Sequence, residues 1–227
     1  MPLPEKRQVA RKKLKTARQG ARRSQHNDHG STGTDYRRTA NRFAKMRYLQ
    51  IPGFLPKSIL QYLQVYFDVL LANDRFSFDV QCPSSLSLGG DPGLDAVLEW
   101  ARPQVSRLVG FELVPTYSYT RVYSEDEILA RHTDRPACEI SVSLSIAIPP
   151  GGGPSILHLK PPRSESTEVQ MREGDGCIYA GSEIEHWRNR FRRSGYIQLF
   201  LHYIAAAGKN FPQHIYDQRE YLGKPYD

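Results

Sequence analysis

Between residues 112 and 205 the chain breaks into short runs rich in Val, Ile, Leu, Tyr, Phe and Thr, each ended by glycine, proline, serine or charge. The runs are ELVPTYSYTRVY, ILARHTD, CEISVSLSIAI, SILHLK, TEVQM, GCIYAG and YIQLFLHYI. Segments this short are strands rather than helices. In the first of them strict alternation sets Tyr117, Tyr119, Arg121 and Tyr123 on one face. So many closely spaced strands after a helical region predict a β-sandwich or jelly roll buttressed by N-terminal helices. The fold class is mainly β with flanking helices, α+β.

The helical region is legible by its period. A short strand over 47–51 leads into a Pro-Gly turn and then a helix from about 57 to 73. Its Ile59, Leu60, Leu63, Phe67, Leu70 and Leu71 recur at three and four to form one buried face. Further on, Asp91 followed by Pro92 reads as an N-cap and first helical residue. Pro103 inside the same apolar pattern predicts a break and two short helices. Asp175 in EGDG reads as a turn before a strand, and PPGGGP (149–154) as a turn rather than a phosphate cradle, since no helix follows it.

Charge is unevenly placed. The chain holds 31 Lys and Arg against 24 Asp and Glu, but 14 of the basic residues fall in the first fifty positions, against only Glu5, Asp28 and Asp35. The remainder is mildly acidic, so contact with a nucleic acid or an acidic partner is an expectation for the N-terminal arm alone. Residues 1–42 lack the large apolar side chains needed to offset the entropy of ordering and read as a disordered basic arm; His26 and His29 within it carry no metal reading. Cys82, Cys138 and Cys177 are odd in number and widely spaced. They imply a reducing compartment, and Cys138 and Cys177, set in apolar strands, read as inert. No apolar run is long enough to span a bilayer and no signal-peptide pattern opens the chain, so the expected location is cytoplasmic, with no membrane partner.

The chemistry concentrates in RHTDRPACEISVSLSI. His132 and Asp134, two apart in an extended segment, project to one side. A later strand, ending EIEHWR, brings His186. A jelly roll can set a late strand beside an early one, so the three side chains can share one ion. Two imidazoles and a carboxylate suit non-haem Fe(II), with open positions left for other ligands. Zinc is the weaker choice, because no tetrahedral cysteine set accompanies them.

H-x-D, the upstream R-V-Y strand and the downstream G-D … Y … H-W-R together resemble the Fe(II)/2-oxoglutarate-dependent dioxygenases. The opening YLQIPGFLPKSIL is similar to the start of the prolyl 4-hydroxylase-like group. The resemblance covers about residues 47 to 207. It implies a double-stranded β-helix within a domain at 43–227, with His132, Asp134 and His186 as catalytic metal ligands to Fe(II). It also implies 2-oxoglutarate as cosubstrate, dioxygen as oxidant and ascorbate as a further candidate cofactor. The implied reaction decarboxylates 2-oxoglutarate to succinate and hydroxylates a peptide or protein side chain or a small molecule.

The resemblance assigns Tyr123, nine residues before His132, to the cosubstrate. It leaves the cation open: the positions where the group carries Lys or Arg are Gly195 and Tyr196 here. Arg188 has the parity to follow His186 into the site, and Arg193 stands nearer the usual position. Arg190, Arg192 and Arg121 are further candidates. His158 and His202 read as core or supporting residues. Trp187 reads as lining either pocket or core, and Arg135 as pairing with Glu139 or facing substrate. Two other functions fit the same residues: a metal-binding jelly-roll sensor or scaffold without turnover, and a nucleic-acid-associated protein acting through its arm.

Overall fold

The computed structural model describes residues 33–226. The chain divides into two compact units, Met1–Asp35 and Tyr36–Asp227, and nearly all of the first falls outside the described residues. So do His26, His29 and most of the stretch read as a disordered arm. Residues 33–42, its last part, are helical: α1 spans Gly33–Met46. Tyr36, Ala40 and Phe43 recur at four and three along it, and Phe43 is fully buried. So thin an apolar stripe among arginines does not register in composition, yet it is enough to dock a helix. Among the described residues no helix is long and apolar enough to cross a membrane.

After β1 (Tyr48–Ile51) come α2 (Lys57–Ala72), β2 (Ser77–Phe78), β3 (Leu86–Gly89) and α3 (Pro92–Val109). The Asp91 carboxylate caps α3, accepting from Gly93 N at 2.9 Å and Leu94 N at 3.2 Å, and Gly110 closes it at φ 90°. Pro103 does not break this helix. It stands on the exposed face, where water can serve the carbonyl that its missing N–H leaves unpaired, while Ala101 and Val105 on the opposite face stay buried. Packing of that face outweighs the one lost hydrogen bond.

The strands that follow are β4 (Leu113–Tyr123), β5 (Leu129–His132), β6 (Ile140–Ala147), β7 (Ser155–Lys160), β8 (Thr167–Met171), β9 (Gly176–Tyr179), β10 (Glu185–Arg188) and β11 (Tyr196–Ala205). They form a seven-stranded sheet, β1-β9-β6-β11-β4-β3-β2, facing a four-stranded sheet, β5-β10-β7-β8. All the pairings are antiparallel. This is a double-stranded β-helix, or jelly roll, with the helices packed on the larger sheet.

Side-chain parity on the larger sheet decides what each face can do. In β6, ISVSLSIA, the residues Ile140, Val142, Leu144 and Ile146 join the helix-side core with Leu63, Phe67, Leu98, Leu199 and Leu201. The alternate residues Ser141, Ser143 and Ser145 point into the barrel, as do Gln198 and His202 of β11 and Tyr117, Tyr119, Arg121 and Tyr123 of β4. One face is therefore oily under the helices. The other is a polar chamber between the sheets.

Candidate metal centre

His132 ends β5 and His186 lies in β10, directly opposite it in register. Strand pairing thus brings together two imidazoles 54 residues apart, with ring centroids 4.3 Å from each other. Asp134 follows on the irregular segment after β5. Its Oδ1 lies 3.6 Å from His132 Nε2 and 3.4 Å from His186 Nε2, spacings that one ion with bonds of about 2.1 Å can bridge. The structure therefore brings the three residues singled out in the sequence to a common point.

Both rings are held in one tautomer. His132 Nδ1 bonds the Ala130 carbonyl at 2.8 Å and His186 Nδ1 bonds the Ile184 carbonyl at 3.1 Å. A carbonyl only accepts, so each Nδ1 carries a proton and each Nε2 is turned toward Asp134, a donor to the carboxylate when protonated and a lone pair for a metal when not. Burial alone would raise the Asp134 carboxyl, but its hydrogen bonds with His132 and His186 hold it well below the usual carboxylate range. The same hydrogen bond pushes His132 up, against its own burial. The carboxylate is thus ionised, the form in which it can ligate a hard divalent ion.

A second layer orients it. Ser141 Oγ lies 2.8 Å from Asp134 Oδ2 and 3.0 Å from His202 Nδ1. The single hydroxyl proton goes to the carboxylate, so His202 donates to Ser141 and is neutral. Burial lowers His202 to about 4, consistent with that accounting. His202 is thus a supporting residue, as its sequence position implied. Its folded pKa is below the unfolded value, so the unfolded chain binds the extra proton as pH falls. The contribution is fully present above about 6.5 and is lost toward 4, at up to about 1.4 kcal/mol per pH unit. Urea unfolding of the metal-free protein between pH 4 and 7 is expected to show this slope, and His202→Phe to flatten it.

Gly181 supplies room as well as a bond. Its carbonyl accepts from Asp134 N at 2.8 Å, while a Cβ at that position would stand 2.3 Å from Asp134 Oδ2 and 2.6 Å from the Cys138 carbonyl. Gly181→Ala is expected to displace the carboxylate and abolish Mn(II) binding, read by electron paramagnetic resonance, while far-UV circular dichroism stays unchanged. Mn(II) binding by this variant at wild-type affinity would contradict the assigned ligand geometry.

The triad opens on a cavity of about 830 Å³. Tyr117, Tyr119 and Phe200 form an aromatic floor from β4 and β11, and Tyr226 lines the cavity as well. At one end Arg121 pairs with Asp79 at 2.7 Å, a buried ion pair that also takes the Tyr119 hydroxyl. Asp79 gave no sequence signal, since a lone aspartate in a loop is ordinary. Strand parity had set Arg121 on one face with Tyr119 and Tyr123.

Arg188 lies two residues beyond His186 on β10 and points into the chamber, fully buried. Its guanidinium donates to Ser155 Oγ at 2.6 Å, the Ile156 carbonyl at 2.9 Å, Ser143 Oγ at 3.0 Å and Gln198 Oε1 at 3.2 Å. Every one of these partners is neutral, and Nε has none. Tyr123, also fully buried, accepts from Arg121 at 3.1 Å, and Arg188 lies 5.8 Å from its ring centroid.

Arg193 does not reach this chamber. It is exposed on the loop before β11 and packs against Gly151. Gly195 turns that loop at φ 99°, and Tyr196 is buried with its hydroxyl on the Gly153 carbonyl. Trp187 does not line this cavity: opposite parity to His186 puts it on the other face of the small sheet, stacked on His158 at 5.2 Å and covered by Arg131 at 4.8 Å. Arg135 pairs with Asp217 instead of Glu139, which accepts from Asn210.

No protein-family model matches the sequence, and no curated protein matches it. Solved structures do. A prolyl-4-hydroxylase from Pseudomonas putida superposes with a TM-score of 0.62 at 16% identity, over 75% of this chain and 98% of that one. A Trichoplax adhaerens prolyl hydroxylase in complex with a hypoxia-inducible-factor peptide gives 0.62 at 13%, over 75% and 90%. HygX from Streptomyces hygroscopicus, with nickel, 2-oxoglutarate and hygromycin B bound, gives 0.55 at 13%, over 75% and 88%. The chain therefore shares the jelly-roll fold of these structures. Prolyl 4-hydroxylases stand among its structural neighbours, as the order of landmarks in the sequence implied.

Proposed function

We propose that this protein is an Fe(II)- and 2-oxoglutarate-dependent dioxygenase, with His132, Asp134 and His186 as ligands. It hydroxylates a peptide or protein side chain or a small molecule held in the cavity. The observation that carries the proposal is the convergence of two imidazole Nε2 atoms and one carboxylate oxygen at the wall of that cavity. The donor set is the one that suits non-haem Fe(II) and leaves coordination positions free. When bound, the metal with 2-oxoglutarate and dioxygen would supply the oxidation, releasing succinate and carbon dioxide and placing one oxygen atom in a C–H bond of the substrate.

The chain's own share is to bind, orient and exclude water. Arg188 is a buried cation without a counter-ion among the described residues, an arrangement that calls for an anionic ligand. It stands on the same face as His186, about 7 Å along the strand. That separation suits a five-carbon dicarboxylate spanning from the metal to the guanidinium. Tyr123 spends its oxygen on Arg121 and keeps its own proton to donate to the same carboxylate. Ser141 and His202 hold Asp134 in place, and the aromatic floor of Tyr117, Tyr119 and Phe200 shapes the substrate side. A cavity of this size accommodates a drug-sized molecule or a few residues of a peptide.

The test is direct. Full-length protein incubated aerobically with Fe(II) and 2-oxoglutarate is expected to form succinate slowly even without substrate. In the presence of Mn(II), 2-oxoglutarate is expected to raise the melting temperature. Absence of both effects would rule out the reading, while metal binding without either would favour a sensor or scaffold.

A further inference from the structure

Asp134 occupies residues 133–135, a segment outside any strand between β5 and the short 3-10 turn Pro136–Cys138. No ladder fixes it there, so lateral ties must. Two have been described, Gly181 and Ser141. The third belongs to the next residue. Arg135 stacks over the Tyr117 ring, 4.6 Å from its centroid, and gives both terminal nitrogens to Asp217, at 2.6 and 2.7 Å. A bidentate pair of this kind fixes orientation as well as distance.

Asp217 arrives from the C-terminal segment that follows β11. Its carboxylate is largely buried and also accepts the Tyr226 hydroxyl at 2.9 Å. The backbone there is unusual: Tyr216, Asp217 and Gln218 have φ of 51°, 54° and 65°, three successive non-glycine residues in the left-handed region. Each is disfavoured, and a run of three persists only where the surroundings over-determine it. Those surroundings are visible. Arg219 binds the buried Asp95 at 2.9 Å and the Thr116 carbonyl at 3.3 Å, and Gly223 N binds Asp95 at 2.8 Å. The segment is tied to α3 and β4 downstream of the strained residues, and the side chain aimed from the strained point is Asp217.

Charge gives this geometry a purpose. Arg135 is the immediate neighbour of the metal-binding carboxylate, and without a counter-ion its guanidinium would compete with a metal for Asp134. Asp217 neutralises it and draws it toward the C-terminal segment, and both residues line the cavity wall. We propose that Asp217 is a positioning residue of the metal centre. It acts through Arg135 to fix the bend that presents Asp134 and to keep that carboxylate free for the metal. The inference rests on the reading of His132, Asp134 and His186 as a metal site.

Mn(II) titration of the full-length protein, following free Mn(II) by electron paramagnetic resonance, tests it. Asp217→Asn is expected to weaken affinity roughly 10-fold or more, as loss of an outer-shell partner does. Asp217→Glu, which keeps the charge, should recover most of it. Arg135→Lys keeps the cation but not the fork, and is expected to lose several-fold even should Asp217→Asn fold poorly. Wild-type affinity in both Asp217→Asn and Arg135→Lys, with only a lowered melting temperature, would make the clasp merely structural and overturn the inference. Failure of the unaltered protein to bind Mn(II) would overturn the metal-site reading itself.

Discussion

Replacing His132 and Asp134 together by alanine is expected to reduce 2-oxoglutarate-dependent succinate formation to the level of a protein-free control and to remove Mn(II) binding. The change deletes two of three donors, including the only anionic one, so the loss should exceed the roughly 10- to 100-fold typical of an outer-shell partner. The fold should survive. Both side chains are partly exposed at the cavity, 23% and 15%, and neither belongs to the helix-side core. The hydroxyl of Ser141 loses its acceptor but keeps His202 and, at 3.4 Å, the Cys138 carbonyl. Succinate measured by proton NMR, beside circular dichroism of the same sample, separates a missing metal from a missing fold. Equal succinate from variant and wild type would sink the proposed function.

That this experiment can be framed from a sequence shows where the sequence speaks clearly. Period and turn chemistry are local, so the strands from 113 to 205, α2 and the Asp91 cap all appear where alternation, three-four spacing and N-cap chemistry put them. The triad was legible because His132 and Asp134 share a face by parity, and the recognisable order of landmarks supplied His186. What stayed hidden is long-range or marginal. The choice between Arg188 and Arg193 depends on which side of β10 and its following loop faces the chamber. Spacing to the distal histidine favoured one candidate and parity the other; parity agrees with the burial observed. Asp217 reaches Arg135 across 82 residues through a left-handed run of Tyr, Asp and Gln that no propensity scale would select. One overlooked signal was local: alternation of serine with Ile, Val and Leu in ISVSLSI marks a strand with an oily face and a polar, roomy one.

Arg188→Met carries the second large expectation: a rise in KM for 2-oxoglutarate of roughly 10- to 100-fold, with kcat changed far less once the cosubstrate is saturating. The reasoning starts from what the residue lacks. Four neutral acceptors solvate two of its nitrogens, yet among the described residues the positive charge has no anion within ion-pair reach and Nε is the one buried side-chain nitrogen or oxygen left without a partner. Burying a cation so incompletely matched is costly, and a ligand carboxylate would repay that cost on binding. Hydrogen bonds to a charged group contribute about 1.5–3 kcal/mol, which sets the fold-change. Because the contact would be made equally before and during reaction, its loss should appear in KM. Arg193→Met, altering an exposed residue against Gly151, is the control and should leave KM unchanged. Thermal shift with Mn(II) gives the same contrast without turnover: 2-oxoglutarate should stabilise Arg193→Met as it does the wild type and fail to stabilise Arg188→Met. The opposite pattern would return the carboxylate to Arg193 and leave the buried charge of Arg188 to be explained by some other anion.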